Sequence, residues 1–340
     1  MKKIFFCFTA LVMAFAFASC QKGLESTSEP AVELETITFN VSAPGAPQTK
    51  TTYGETVNFV PELKVAVYLG GKNTSGKPGT FLKDVVPVVT RKSNTEWSVS
   101  INLVKNFYYD IVFWAHKPGA PYAIDWNKAT VTANYAVAAN DITRDAFYFV
   151  CKDYNYVEDQ TTPVGRDIKL VRPFAQINVG ASDFSELLAF YEFVGKKETD
   201  LKTTVTSATV SVPSVLQLLT GEAGTPAELE FVSAPVSVDG GYDLTASAND
   251  IVVSDATGAK RNYTLVSTNY IFANTEKPQN PTVDMTLTFE YNGQSFYVKA
   301  PSVPYARNFQ TNLLGRFFTE DVEFEVVVVP GFKGDKNQNL

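Results

Sequence analysis

Thr36-Ile37-Thr38-Phe39-Asn40-Val41-Ser42 alternates polar and apolar side chains, the period of a strand with one face in a core and the other in water. The same period returns at Leu63, Val65, Val67 and Leu69, and again at Val99, Ile101 and Leu103. The denser run from Tyr108 to Ala115 predicts a strand buried on both faces. Gly70-Gly71, Gly76 to Gly79 and Lys117-Pro118-Gly119 punctuate these runs at the spacing of a sandwich. Farther along, Ile168 to Val179 predicts a single strand, and Asp255-Ala256-Thr257-Gly258 a hairpin turn. Met285, Leu287, Phe289 and Tyr291 alternate up to Asn292-Gly293, and Phe296, Val298 and Ala300 alternate after it. Asn-Gly supplies the two positive-φ residues of a type I′ turn. Val322, Phe324, Val326 and Val328 alternate in a closing strand; Val327 and Val329 on its other face imply that something covers it. One helix is predicted, from Asp183 to Val194. There Asp183 and Glu186 stand at capping-box spacing and Phe184, Leu187, Leu188 and Tyr191 share a face.

This pattern predicts an all-β protein, and its length asks for two cores. The 340 residues are 45% hydrophobic and 13% aromatic, enough apolar material for two domains. The polar stretch Asp153 to Arg166 is the candidate linker, which places a first domain at residues 36–166 and a second at 167–333, with a tail at 334–340. No fixed-period repeat occurs, so solenoids and propellers drop out.

The chain opens with a segment that is no part of the fold. Lys2 and Lys3 precede an apolar run from Ile4 to Ala18, too short to span a bilayer comfortably, and the run closes on Phe17-Ala18-Ser19-Cys20. That tetrapeptide resembles a lipobox, with Phe17 where leucine is usual, so residues 1–19 are expected to be a lipoprotein signal peptide and Cys20 to carry acyl chains, palmitate among them. Residues 20–35, which carry Gly, Ser, Glu and Pro and lack periodicity, are the expected tether. Loss of Lys2 and Lys3 leaves 27 of the 29 basic residues against 36 acidic ones, a net charge of −9. An acidic surface repels phosphate backbones, which argues against nucleic acid as a partner.

The chemistry expected of this sequence is sparse. Its single histidine, His116, ends an aromatic strand, and Cys151 is the one thiol left once Cys7 departs and Cys20 is acylated, so the usual metal sites lack ligands and no disulfide forms. The common nucleophile-elbow and phosphate-loop motifs are absent. Asp153, Glu158 and Asp159 read as a solvated loop, and Asp250 to Gly258 lacks the spacing of a calcium loop. No cofactor and no catalysis are expected. Trp97, Tyr108, Tyr109, Trp114, Tyr122 and Trp126 are foremost core rings. Tyr122 and Trp126, beside Pro121, are the pair expected at the surface, and they keep open a glycan-binding lipoprotein working with an outer-membrane transporter.

Three segments together resemble the fimbrillins, the lipoprotein subunits of type V pili in anaerobic gut and oral bacteria, and their fimbrillin-like relatives. One is the lipobox. The second is Val171 to Val179 with Arg172 and Pro173, similar to an arginine-bearing strand that opens the family's C-terminal domain. The third is Val303 to Gly315, whose Arg307, Asn308, Thr311, Asn312 and Gly315 match an R-N-x-x-T-N-x-x-G pattern. Short polar side chains that bond their own backbone, followed by a glycine, would suit a tight corner leading into the last strand.

The resemblance implies two tandem β-sandwiches of transthyretin-like, Greek-key type with a short helix in the second. It also implies a non-enzymatic fimbrial or adhesive protein, lipid-anchored at the outer membrane and cell surface. Its partners would be pilin-like subunits or copies of itself, the membrane through acylated Cys20, and a host or glycan target. Assembly would follow removal of the first strand (Thr36, Ile37, Thr38, Phe39, Asn40, Val41, Ser42) and its replacement by a neighbour's strand carrying Val322, Phe324, Val326 and Val328, within Asp321 to Phe332. The family's cleavage follows an arginine in the next loop. Here Lys50 is the one basic residue between Lys22 and Lys64, so either a lysine-directed protease cuts there or the strand stays and the protein is an accessory, tip or non-polymerising relative.

Overall fold

The computed structural model describes residues 34–43, 60–73, 79–135, 144–155, 166–193, 202–207, 212–227, 230–233, 251–254, 260–274, 282–291, 294–318 and 323–330. The strands up to the predicted linker are β1 (Leu34–Ser42), β2 (Glu62–Leu69), β3 (Val88–Arg91), β4 (Glu96–Val104), β5 (Tyr109–His116), β6 (Tyr122–Asp125), β7 (Thr130–Ala133) and β8 (Ala146–Tyr154). After it come β9 (Asp167–Lys169), β10 (Phe174–Ala181), α1 (Phe184–Phe193), β11 (Lys202–Ser207), β12 (Val212–Gln217), β13 (Ala223–Ala227) and β14 (Glu230–Ser233). The remainder are β15 (Ile251–Ser254), β16 (Lys260–Phe272), β17 (Thr282–Tyr291), β18 (Gln294–Pro304), β19 (Phe309–Arg316) and β20 (Glu323–Pro330). The protein is all-β, built as packed sheets, and α1 is its single α-helix among the described residues.

The first sandwich packs the sheet β3-β4-β1-β9 on the sheet β2-β5-β8. Alternation decides which residues meet. Ile37, Phe39 and Val41 of β1 and Trp97, Val99, Ile101 and Leu103 of β4 turn inward onto Ile111, Phe113 and Ala115 of β5. Every residue of β5 is buried, as its dense apolar sequence predicts, because its other face carries Val112 and Trp114 into a second core.

That second core is fed by sheet β15-β16-β10-β19-β20, sheet β14-β11-β17-β18 and a fifth sheet, β13-β12-β7-β6. The fifth sheet draws strands from both sides of residue 166, since Val215 of β12 pairs with Thr132 of β7. β9, just after residue 166, runs parallel to β1.

The strand predicted over Ile168 to Val179 is instead two. Pro173 has no N–H to give a ladder. The chain leaves β9, bridges Val171 to Tyr148, buries the Arg172 side chain against Asp145 and starts again at Phe174. The closing strand begins at Glu323, with Val322 outside the described residues. The helix spans Phe184–Phe193; its predicted apolar face beyond Phe184 lies outside the described side chains. The buried Asp183 carboxylate accepts the backbone N–H groups of Phe317 and Phe318, and Glu186 pairs with Arg316, so both acids tie the start of α1 to the end of β19.

Phe39→Ala should cost about 3–5 kcal/mol, the range for truncating a fully buried phenylalanine, whereas Thr38→Ala on the outer face of the same strand should stay within about 0.5 kcal/mol. Urea unfolding of the two variants measures the difference.

Candidate functional site

β1 is held from three directions. It pairs antiparallel with β4 along its whole length, from Leu34 opposite Val104 to Ser42 opposite Glu96. On the other side Asn40, Val41 and Ser42 run parallel to Asp167, Ile168 and Lys169, and the amide of Leu170 donates to Ser42 O at 2.8 Å. Beneath it the Phe39 ring lies edge-on to Phe113 (5.8 Å) and Tyr154 (5.3 Å). The outward residues form a separate polar row, in which Thr36 Oγ1 donates to Asn102 Oδ1 (2.7 Å), Thr38 meets Ser100 (3.1 Å) and Asn40 Nδ2 donates to Asp167 Oδ1 (2.9 Å). The seat of β1 is therefore an apolar trough rimmed by hydroxyls and amides. Cys20 and Lys50 lie outside the described residues.

β20 is the outer strand of its sheet, paired only with β19 among the described residues. Its inward contacts do not follow clean alternation: Phe324 stacks on Phe317 at 5.8 Å and packs on the core, and so does Val327. Val326 is 39% exposed and Val328 half-buried.

The two motifs far apart in sequence meet as neighbours. β10 and β19 are parallel, with Gln176 opposite Gln310 and Asn178 opposite Asn312. Their amides form a buried ladder. Gln310 Nε2 donates to Gln176 Oε1 (2.9 Å), Gln176 Nε2 to Thr268 Oγ1 (3.0 Å), Asn178 Nδ2 to Asn312 Oδ1 (2.8 Å) and Thr268 Oγ1 to Asn178 Oδ1 (2.5 Å). The tight corner expected over 308–315 is confined to its start and leads into β19. Asn308 takes the left-handed conformation (φ 60°) and its amide donates to Phe174 O, while Asn312 bonds across strands and Gly315 lies in β19 opposite Ala181. Thr311 Oγ1 donates to Pro304 O at 2.7 Å. Arg307 donates from Nε to Ala273 O (2.9 Å) and from a terminal nitrogen to Gly221 O. Arg172 Nε donates to Asp145 Oδ2 at 2.7 Å, both side chains being buried, and its guanidinium lies over the Phe147 ring. These motif residues hold strands and turns in place. A glycine fits the same sheet for a plainer reason, since a Cβ on Gly180 would stand 2.8 Å from Leu314 Cδ2 and 2.9 Å from Tyr263 Cβ.

The rings expected at the surface are only partly exposed. Tyr122 is half-buried, its ring stacked on Phe174 (5.7 Å) and edge-on to Trp114 and His116, and its hydroxyl donates to Arg144 O. Trp126 packs against the second core. Two of the core tryptophans, Trp97 and Trp114, are among the largest fully buried side chains. Cys151 packs at the edge of the first core. Asp153, read from the sequence as part of a solvated loop, lies in β8 in the left-handed conformation (φ 48°); its Oδ1 accepts the amide of Lys72, and its own amide donates to the buried Asp110. Glu158 and Asp159 fall outside the described residues, which contain no group of three or more metal-ligating side chains.

His116 is buried at the end of β5, where Nδ1 accepts the indole N–H of Trp114 at 3.0 Å. Burial, reinforced by the Lys64 charge and opposed by Glu62, pulls its pKa down to about 4.

Comparison with known proteins gives a family but no characterised relative. A family model described as "Family of unknown function (DUF6562)" matches residues 29–340. No curated protein matches. Among solved structures, a fimbrial protein from Bacteroides vulgatus is similar at 11% identity and a TM-score of 0.42, over 87% of this chain and 99% of that one. The tip fimbrial protein Mfa3 from Porphyromonas gingivalis, with C-terminal truncation, is similar at 12% identity and a TM-score of 0.41, over 88% and 100%. A fimbrial assembly protein from Parabacteroides distasonis is similar at 11% identity and a TM-score of 0.37, over 87% and 100%. These TM-scores lie below 0.5, so what those names say stays with those proteins.

Because the unfolded chain binds a proton at His116 near pH 6.5 and the folded chain only near pH 4, neutral His116 contributes stability that is complete above the first value and is lost as pH falls toward the second. The expected slope is at most about 1.4 kcal/mol per pH unit in that window. His116→Gln should flatten it by that amount, read as the difference between the two proteins' unfolding free energies from pH 7 to pH 4.5.

Proposed function

The chain belongs to the DUF6562 family, and from its own residues we propose that it is a non-enzymatic surface lipoprotein, a fimbrial subunit or an adhesive accessory to one, that assembles by exchange of its first strand. The observation that carries this reading is the seat of β1. It is the first strand in the described chain, it fills an apolar trough, and it is joined to the rest only through the segment that contains Lys50.

Removing such a strand would leave Val99, Ile101 and Phe113 without their cover and the inner edges of β4 and β9 without partners. Apolar burial is worth roughly 25 cal/mol per Å², and unpaired strand edges seek another strand, so the trough would take an extended segment with the same alternation. The closing strand supplies that alternation at Val322, Phe324, Val326 and Val328. Acylation at Cys20 would tether the body to the outer membrane, because several acyl chains at about 0.8 kcal/mol per buried CH₂ hold firmly where one does not. The glycan-binding reading is not carried further, since Tyr122 and Trp126 are engaged in packing.

Treating the mature protein with trypsin or a lysine-specific protease should release residues up to Lys50 as one discrete step, followed by oligomers on size exclusion; Lys50→Gln should block both. A chain that is not cut at Lys50, or that is cut and never polymerises, contradicts the proposal.

A further inference from the structure

β3 is an outer strand with an unusual surface. All four of its residues are exposed, and Val88 (62%), Val89 (37%) and the adjoining Val86 (74%) put apolar side chains on both faces of the ribbon. Among the described residues β3 pairs with β4 alone, from Val88 opposite Ser100 to Arg91 opposite Trp97. An apolar strand edge left uncovered is a template for another strand, and proteins ordinarily blunt it with charges, bulges or a covering element. Here the ribbon from Val85 to Thr90 carries no charge; Arg91 and Lys92 follow it, and Lys83 and Asp84 precede it.

Among the described residues β20 is an outer strand that matches this edge in reverse. β20 reads Glu-Phe-Glu-Val-Val-Val-Val-Pro, acidic where β3 is basic and branched-apolar where β3 is branched-apolar. Laid antiparallel, Val88 falls opposite Val328, Val89 opposite Val327, Thr90 opposite Val326 and Arg91 opposite Glu325, with Glu323 on the diagonal from Arg91. Directly opposed and diagonal neighbours on one face are the pairs that stabilise a sheet. Pro87 and Pro330, which offer no N–H, both fall at the same end of this ribbon and limit its length. Glu325 stands exposed, 2.8 Å from Arg261, and that ion pair leaves it at the surface within reach of a second cation.

We infer that β3 is a docking edge for β20 of a second copy of this chain, so that the first sheet of one molecule continues into the β15-β16-β10-β19-β20 sheet of the next. The contact is head-to-tail, which repeats along a line unless the rotation closes a ring. It rests on the surface-fibre reading and names a contact that β20 makes while still paired with β19, as an alternative to its donation into the β1 trough; it leaves β1 in place and requires no proteolysis, so its failure leaves the Lys50 experiment untouched.

Sedimentation velocity on the uncleaved mature chain tests it, with Val88→Lys and Val326→Lys as variants at exposed positions that the fold tolerates. The wild type should associate with rising concentration. Each variant alone should associate more than about tenfold more weakly, the effect of about 1.4 kcal/mol. An equimolar mixture should form dimers and nothing larger, because one variant keeps its β20 and the other its β3. A wild type that stays monomeric overturns the inference. So does a Val326→Lys chain that still self-associates, which would make the occupant another β3, and so does a mixture that remains monomeric.

Discussion

Burial of Ile37, Phe39 and Val41 in the trough between the two sheets of the first sandwich is the constraint on which the rest depends. Each such side chain contributes about 1.5–3 kcal/mol when fully withdrawn from water, and all three come from a strand at one end of the chain. Its partners are far away in sequence: Phe39 lies opposite Val99 on β4, and Asn40 beside Asp167 on β9. Among the described residues the seat of β1 is built wholly by strands distant from it in sequence. The same bonds that complete the fold are therefore the ones another strand of equal pattern can make.

The second body is organised differently. There the two sequence motifs are locked side by side by amides, and the lock is polar, buried and specific in register. Sliding β19 by one residue along β10 would carry Gln310 and Asn312 away from Gln176 and Asn178 and break both amide bonds between the strands, at about 1–3 kcal/mol for each buried group left unsatisfied. The buried Arg172–Asp145 pair acts in the same sense at the join, since it is strongly destabilising to break and fixes where β9 ends and β10 begins. The first sandwich is thus closed by an apolar strand, and the β10–β19 sheet is fixed in register by buried polar bonds.

Much of this was legible in the residues because strand alternation is a local signal. The first strand, the doubly buried Tyr109–His116 and the two-sided hairpin about residues 292 and 293 all follow from period and turn chemistry. What was not legible is what depends on partners distant in sequence. Nothing local announces that Gln176 and Asn178 will bond Gln310 and Asn312, although the shared spacing of two amides in each motif was a usable signal. Tyr122 and Trp126 looked exposed because a proline and polar residues flank them, yet rings of the second core, Phe174 above all, close over Tyr122. The break at Pro173 was readable from its missing N–H, and the apolar run on either side of it concealed the break.

The most direct measurement of the central claim uses a chain that begins at Thr51 and a synthetic peptide of Leu34–Ser42. The peptide should bind the shortened chain, raise its Tm and shift the emission of Trp97, which lies opposite Val41, while a peptide with Phe39→Lys should do neither. A shortened chain as stable as the full one and indifferent to the peptide would contradict the account.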